Sequence, residues 1–268
     1  MLLAVVPLLA GLILALLLSL GAVGVLSEGW TLQHWSELIA DPALGYAALF
    51  SLYVAGTSTL LALGLSLLVT VGGRPFRRRG GYQILLYAPL ALPALVMAFY
   101  TFHLLGQAGL LSRLAYSWGW TSEASAFPLL VGDKAGLGII FAHTMMSTFF
   151  FSVYFAQLWP KEQIDELMEV AQNLGSSSWQ SLRKVAIPAL LLRGRSMIGL
   201  YFVFALGSYE IPLLLGRSYP QMLSVFAVSK LQRFNLGDIP QAYALAFLYA
   251  LIMASILLIL GLRKSRSL

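Results

Sequence analysis

Long apolar runs constrain this chain more than any other feature. The first, LLAVVPLLAGLILALLLSLGAVGVL, fills residues 2–26. A stretch of about 20 mostly apolar residues crosses the roughly 30 Å hydrocarbon layer of a bilayer as a helix. It must be a helix or a closed barrel, because lipid offers no partner to a bare N–H or C=O. Six such runs are read, over 2–26, 46–71, 82–106, 137–158, 196–216 and 241–262. Only 10% of the 268 residues are charged, against about 25% in an ordinary soluble domain, and the mean hydropathy is +0.81. The expected fold class is an all-α integral membrane protein. Residues 1–268 form a single transmembrane domain with six transmembrane helices. A helical hairpin lies outside the membrane between spans 4 and 5, in the segment 159–195. Cysteine is absent, which excludes a disulfide framework, a thiol nucleophile and a Cys-based metal site.

Basic residues choose the orientation. The connection between runs two and three carries Arg74, Arg77, Arg78 and Arg79. The connection between runs four and five carries Lys161, Arg183, Lys184, Arg193 and Arg195, and the tail carries Arg263, Lys264 and Arg266. These twelve face Arg113, Lys134, Arg217, Lys230 and Arg233 on the other side. The positive-inside rule places both termini and the 159–195 segment in the cytoplasm. The first run lacks a basic leader and exceeds the usual apolar length of a secretory signal, so it reads as a retained span. Trp30, Trp35, Trp118 and Trp120 fall in outer loops, where interfacial anchoring explains them.

The segment 159–195 is too polar to span and is patterned as a helix. Pro160 suits a first helical position, and Glu162, Asp165 and Glu166 favour the positive end of a helix dipole. Ile164, Leu167, Met168 and Ala171 follow one apolar face. Gly175 can close that helix as a C′ residue. Ser177 and Gln180 fit a capping box that starts a second helix, in which Trp179, Leu182 and Ala186 share a face until Pro188 disturbs or ends it. Pattern alone leaves two readings open: a docking element, or an amphipathic hairpin resting among lipid headgroups.

Within this segment the chain reads Glu169-Val-Ala171, three residues, Gly175, nine residues, Val185-Ala-Ile187-Pro188. This resembles the EAA signature of the permease subunits of type I ABC importers, the binding-protein-dependent uptake systems of MetI-like fold. That signature is Glu-Ala-Ala, three residues, Gly, nine residues, Ile-x-Leu-Pro. Val170, Val185 and Ile187 depart from it conservatively, and every spacing holds. The resemblance extends to APLALPALVMAF in the third run and FALGSYEIPLLLG in the fifth. It implies that the hairpin is a coupling helix docking on a separate ATPase subunit. Glu169, Ala171 and Gly175 form the motif core, with Asn173 and Leu174 as neighbouring contacts. Glu169 is expected to pair with Lys184, Arg183 or a basic group of the partner. The implied assembly has two permease subunits (a homodimer or a related heteromer), an ABC ATPase dimer and an extracytoplasmic substrate-binding protein, in the bacterial inner membrane. No G-x-x-x-x-G-K-[ST] phosphate loop occurs, so ATP and Mg belong to the partner ATPase and no cofactor or catalytic residue is assigned to this chain.

Within the spans, Glu210 is the outstanding ionisable residue, and intramembrane charge often marks a route for solute. It adjoins Pro212, where a break would leave free carbonyls around a cavity. Tyr209 and Ser208 join it as translocation-pathway candidates; a scaffold role for Glu210, bonded to a neighbouring span or reaching the outer interface, stands beside this reading. Pro89 and Pro93 are expected to kink the third run. Ser51, Thr57, Ser58 and Thr59 suit bonds between helices rather than substrate contact. His103 and His143 lack ligand-type neighbours, so no metal site is assigned. An ion-gradient carrier or channel is the alternative class, but it would show internal repeats or paired intramembrane charges. An intramembrane enzyme ranks last, since neither H-E-x-x-H nor G-x-S-x-G occurs. The resemblance is to the branch handling polyamines, thiamine, iron(III) and oxyanions, and Glu210 tilts the choice toward an organic cation.

Overall fold

The computed structural model describes residues 2–24, 29–76, 80–123, 126–233 and 237–265, and no strand occurs among them. In chain order the helices are α1 (Leu2–Ser19), α2 (Gln33–Ala40), α3 (Pro42–Gly72), α4 (Gly80–Tyr87), α5 (Ala94–Leu105), α6 (Leu110–Ser117) and α7 (Leu137–Lys161). There follow α8 (Ile164–Asn173), α9 (Ser178–Ser181), α10 (Ile187–Leu206), α11 (Glu210–Leu215), α12 (Leu223–Leu231) and α13 (Asp238–Ser265). Among the described residues, five stretches are long and apolar enough to cross a membrane: Pro42–Gly72, Ala94–Ser117, Leu137–Lys161, Ser178–Leu206 and Asp238–Ile259. Within α1, Leu9–Ser19 is a shorter apolar helix. Arg77, Arg78, Arg79 and Arg266, counted above for orientation, and residues 25–26 of the first run lie outside the described residues.

Helix α7 is the most enclosed of the five spans, and α3 packs along it more extensively than any other pair of elements. Asp133 starts α7. Its two carboxylate oxygens accept the N–H groups of Ala135, in the turn before the helix, at 2.9 Å and of Leu137 at 2.8 Å, the latter a donor that a helix N-terminus otherwise leaves unpaired. Asp41 starts α3 in the same way, accepting the Ala43 N–H at 2.9 Å with Pro42 next in the chain.

Two of the expected spans are broken. In the third, α4 ends at Tyr87, a 3-10 turn covers Ala88–Ala91, and α5 begins at Ala94. Leu92 takes extended backbone before Pro93, the conformation a following proline imposes. The kink expected from Pro89 and Pro93 is therefore a full interruption. In the fifth, α10 ends at Leu206 and α11 starts at Glu210. The break falls at Gly207–Tyr209 rather than at Pro212. Pro212 lies in the first turn of α11, where a missing N–H breaks no intrahelical bond.

Pro188 does not end its helix. Ser178–Leu206 runs continuously, with a π-helical turn over Leu182–Ala186 in which the Ile187 N–H reaches the Leu182 carbonyl. The wider turn absorbs the bond that proline cannot make. Of the four hydroxyl residues of α3 expected to bond between helices, Ser51 does so, accepting the Leu223 N–H at 2.7 Å. Thr57 and Ser58 bond back to Tyr53 and Val54 of their own helix, and Thr59 is buried.

At the α3 end remote from the hairpin, a polar cluster joins four helices. Lys230 of α12 is 2% exposed and pairs with Asp41 at 3.0 Å. It also donates to Gln241 of α13 at 2.9 Å, which donates to Glu37 of α2 at 2.8 Å. Burial opposes the Asp41 charge, yet the bonds from Lys230 and the Ala43 N–H outweigh it, and the carboxyl is held below its ordinary value. Such a depressed group adds stability that is complete above the unfolded value of 3.8 and lost as pH falls through the lower folded value. The thermal midpoint of the detergent-solubilised chain should therefore drop below about pH 4 more steeply than that of Asp41→Asn. Lys230→Met strands Asp41 beside an apolar group and should cost about 1–3 kcal/mol at neutral pH, read by chemical unfolding. Equal stability of Lys230→Met and wild type would remove the cluster from the forces holding α2, α3, α12 and α13 together.

Candidate functional site

The segment between α7 and α10 folds as a hairpin whose turns are closed by backbone and side-chain hydrogen bonds. Helix α8 ends in a Schellman motif. The Ser176 N–H bonds the Ala171 carbonyl at 3.1 Å and the Gly175 N–H bonds the Gln172 carbonyl at 2.9 Å. Gly175 supplies the required positive φ, +94°. The four-residue step from Ala171 to Gly175 in the motif is thus the step from C3 to C′ of this cap. Two residues later Ser177 and Gln180 form a reciprocal capping box, with bonds of 3.1 and 3.2 Å. The nine residues between Gly175 and Val185 cover this turn, α9 and most of the π-helical turn.

The apolar residues of the hairpin divide between two faces. Ile164, Met168, Leu182 and Ala186 are buried in a core shared with Phe151, Phe155 and Trp159 of α7. Leu167, expected on the same stripe, is 46% exposed, and Trp179, expected beside Leu182, is 67% exposed. With Val170 and Leu174, the latter 84% exposed, Leu167 forms an outward apolar ridge along α8, whereas Trp179 lines a cleft with Asp165, Glu169 and Gln172. Glu169, Asn173 and Gly175 are exposed beside the ridge, and Ala171 is half-buried. The core takes Leu182 and leaves Trp179, one turn earlier in α9, outside.

Two further expectations change at the α7–α8 corner. Pro160 lies inside α7, not at the start of α8. Glu162 caps the C-terminal end of α7, so only Asp165 and Glu166 occupy the first turn of α8. The corner turns at Gln163, whose φ is +50°. Two arginines brace it from outside the hairpin. Arg74, just after α3, pairs with Asp165 at 2.6 Å, and Arg193 of α10 pairs with Glu162 at 3.2 Å. Glu169 pairs with neither Lys184 nor Arg183. It lines a cleft of about 510 Å³ with Arg74, Asp165, Gln172 and Trp179. Burial, at about 1.5–3 kcal/mol per fully buried large side chain, holds the hairpin down. The exposed ion pairs, worth about 0–1 kcal/mol each, orient it.

The pathway candidates sit at the break between α10 and α11. Glu210 opens α11 and is exposed, while Ile211, Pro212 and Leu215 are buried. The Ser208 carbonyl does not face a cavity unpaired; the Ser224 hydroxyl donates to it at 2.6 Å. Tyr209 precedes α11, and its carbonyl accepts the Leu213 N–H at 3.0 Å. The structure therefore puts Ser208, Tyr209 and Glu210 together at the corner where α10 gives way to α11. A second break makes a cavity that sequence reasoning missed. The interrupted α4–α5 segment, α7 and α10 enclose an apolar cleft of about 510 Å³ lined by Leu90, Met146, Phe150, Met197, Tyr201 and Phe204. Pro89 and Pro93 were the available signal for it. His143 is fully buried in α7, His103 packs edge-on against Phe102, and no metal-binding group of side chains occurs among the described residues.

No protein-family model matches the chain. It is 26% identical over 243 residues to the inner membrane ABC transporter permease protein YnjC of Escherichia coli (strain K12), covering 88% of this chain and 45% of that protein. It is 25% identical over 236 residues to the thiamine transport system permease protein ThiP of Haemophilus influenzae, covering 87% and 42%. The chain thus spans less than half the length of these curated relatives. The fold is similar to chains in two crystal structures. One is a bacterial ABC transporter involved in import of the acidic polysaccharide alginate, with TM-score 0.66, 17% identity, and 89% of this chain and 85% of that chain covered. The other is the bacterial alginate ABC transporter in complex with an alginate pentasaccharide-bound periplasmic protein, with TM-score 0.67, 18% identity, and 96% and 87% covered. The multi-pass helical fold and the permease relatives agree with the spacing from Glu169 to Pro188, and over most of its length the chain is similar to ABC transporter permease proteins.

Proposed function

We propose that this chain is the membrane-spanning subunit of an ATP-driven importer and that the α8–α9 hairpin is its coupling element. The observation that carries the reading is the outward ridge of Leu167, Val170 and Leu174, with exposed Trp179 at the cleft on the other flank of α8, on a hairpin closed at every turn, with Glu169 and Gly175 of the motif beside it. An exposed apolar patch on a rigid element outside the spans marks an interaction site. A separate ABC ATPase is the occupant that fits, because the chain has no phosphate loop of its own. An ion-gradient carrier gives this ridge no partner.

In this reading both termini and the hairpin face the cytoplasm of a bacterium, and the chain sits in its inner membrane. Two permease subunits enclose the route, and a binding protein delivers solute from the opposite side. ATP binding draws the hairpins together and opens the route outward; hydrolysis returns it. The thiamine permease relative supports a small-solute branch, and Glu210 at the α10–α11 corner favours an organic cation over an anion. The apolar cleft at Phe150, Tyr201 and Phe204 is a second surface along the same helices for the solute to pass.

Gly175→Asp should leave the chain inserted but release the ATPase. The residue would have to adopt φ +94°, and a charge would stand in the docking surface. Retention of the co-expressed ATPase on the affinity-captured permease should fall at least about tenfold, equivalent to roughly 1.4 kcal/mol, and uptake into vesicles should fall with it. Normal uptake by Gly175→Asp would rule out docking through this turn. Glu210→Gln should assemble normally and lower uptake of the cognate solute about tenfold, again roughly 1.4 kcal/mol. Unchanged uptake would return Glu210 to a scaffold role.

A further inference from the structure

We propose that Arg74 is a positioning residue that locks the hairpin to the end of α3, so that a displacement of α8 is passed directly to α3 as well as to α7 and α10. The inference rests on the reading of the hairpin as the ATPase contact, and adds a route for the motion that the motif does not contain.

The geometry is specific. Helix α8 joins α7 through Glu162 and Gln163, and the positive φ of Gln163 makes this corner a short pivot. Covalent connection alone couples α8 to α7 on one side and, through α9, to α10 on the other. Arg74 adds a third connection, to a helix remote in sequence. Its Nη2 donates to Asp165 Oδ1 at 2.6 Å, in the first turn of α8. Its guanidinium carbon lies 4.6 Å from the centre of the Trp159 ring, and Trp159 is fully buried near the end of α7. A planar guanidinium can stack through its face and bond through its edge at once, which fixes direction as well as distance. The arginine therefore bridges the elements on either side of the pivot.

Arg74 is itself held. It follows Gly73, the C-cap of α3, whose N–H bonds the Val69 carbonyl at 2.8 Å. The same carbonyl accepts the Tyr82 hydroxyl from α4 at 3.0 Å. A side chain on Gly73 would collide with that tyrosine, so glycine lets α4 close over the end of α3. From this end α3 runs 31 residues, about 46 Å at 1.5 Å per residue, to Asp41 and the buried Lys230. The helix is pinned by a charged pair at each end, one on the hairpin and one on α12. Asp165 and Arg74 are 56% and 33% exposed; pairs this wet add little to stability, so their removal should spare the fold and change alignment.

The chain has no native cysteine, which permits paired spin labels at Leu68→Cys on α3 and Glu166→Cys on α8 in the full chain in lipid nanodiscs. Wild type should give a narrow distance distribution. Arg74→Gln should broaden it at least twofold, Arg74→Lys should restore most of the narrowing, and Arg74→Gln with Asp165→Asn should be no broader than Arg74→Gln alone. An unchanged distribution in Arg74→Gln overturns the proposal. With the ATPase subunit bound and ATP added, the label distance should hold steady in wild type and shift in Arg74→Gln, while ATPase retention stays within twofold of wild type. Loss of retention in Arg74→Gln would make Arg74 a docking contact and would also overturn the positioning role. Failure of wild type to bind any ATPase would refute the coupling reading but leave the nanodisc distances as the test of the lock.

Discussion

The hairpin and the spans share one hydrophobic core, and the remaining features depend on that. Ile164, Met168, Leu182 and Ala186 enter the same cluster as Phe151, Phe155 and Trp159 of α7 and Leu190 of α10. A surface-lying amphipathic hairpin would turn its apolar face to lipid. Here that face is consumed by the protein, and a second apolar ridge is left exposed on the other side. Burial fixes the hairpin to the membrane domain. The caps at Gly175 and Ser177 stiffen it, and the arginines at its corner aim it.

The same division between burial and orientation recurs at the other end of α3. Asp41 caps the helix and holds Lys230, and through Gln241 the cluster reaches Glu37. Few charges occur in this chain, and those at the ends of α3 are spent on joining helices. In a low-dielectric setting an unpaired charge is expensive, so a buried lysine with two polar partners signals a junction. The spans themselves are held by packing and by interhelical hydrogen bonds such as that from the Leu223 N–H to Ser51.

The helix interruptions give the membrane domain its relief. Pro89 and Pro93 open an apolar cleft against α7 and α10. The break at Gly207–Tyr209 turns the chain without leaving the Ser208 carbonyl bare, because Ser224 returns to it. Lipid tolerates irregular backbone only where protein or water covers it, and at this second break the Ser224 hydroxyl supplies the partner.

Much of this was legible in the sequence. Apolar run length dictates transmembrane helices, since lipid admits no other open structure, and local capping chemistry dictates the turn at Gly175 and the restart at Ser177. Both depend on residues close together in the chain. Other features could not be read that way. The split of Leu167 from Ile164 and Met168, the exposure of Trp179 and the survival of the helix through Pro188 depend on which face the core occupies and on a π-helical turn. The Arg74–Asp165 and Lys230–Asp41 pairs join residues far apart in the chain. The sequence by itself determined the helices, their caps and the family spacing, because those are local interactions repeated along one chain. Only the tertiary structure decided which charges meet and which apolar residues remain outside, because those choices are made when distant helices compete for the same buried space.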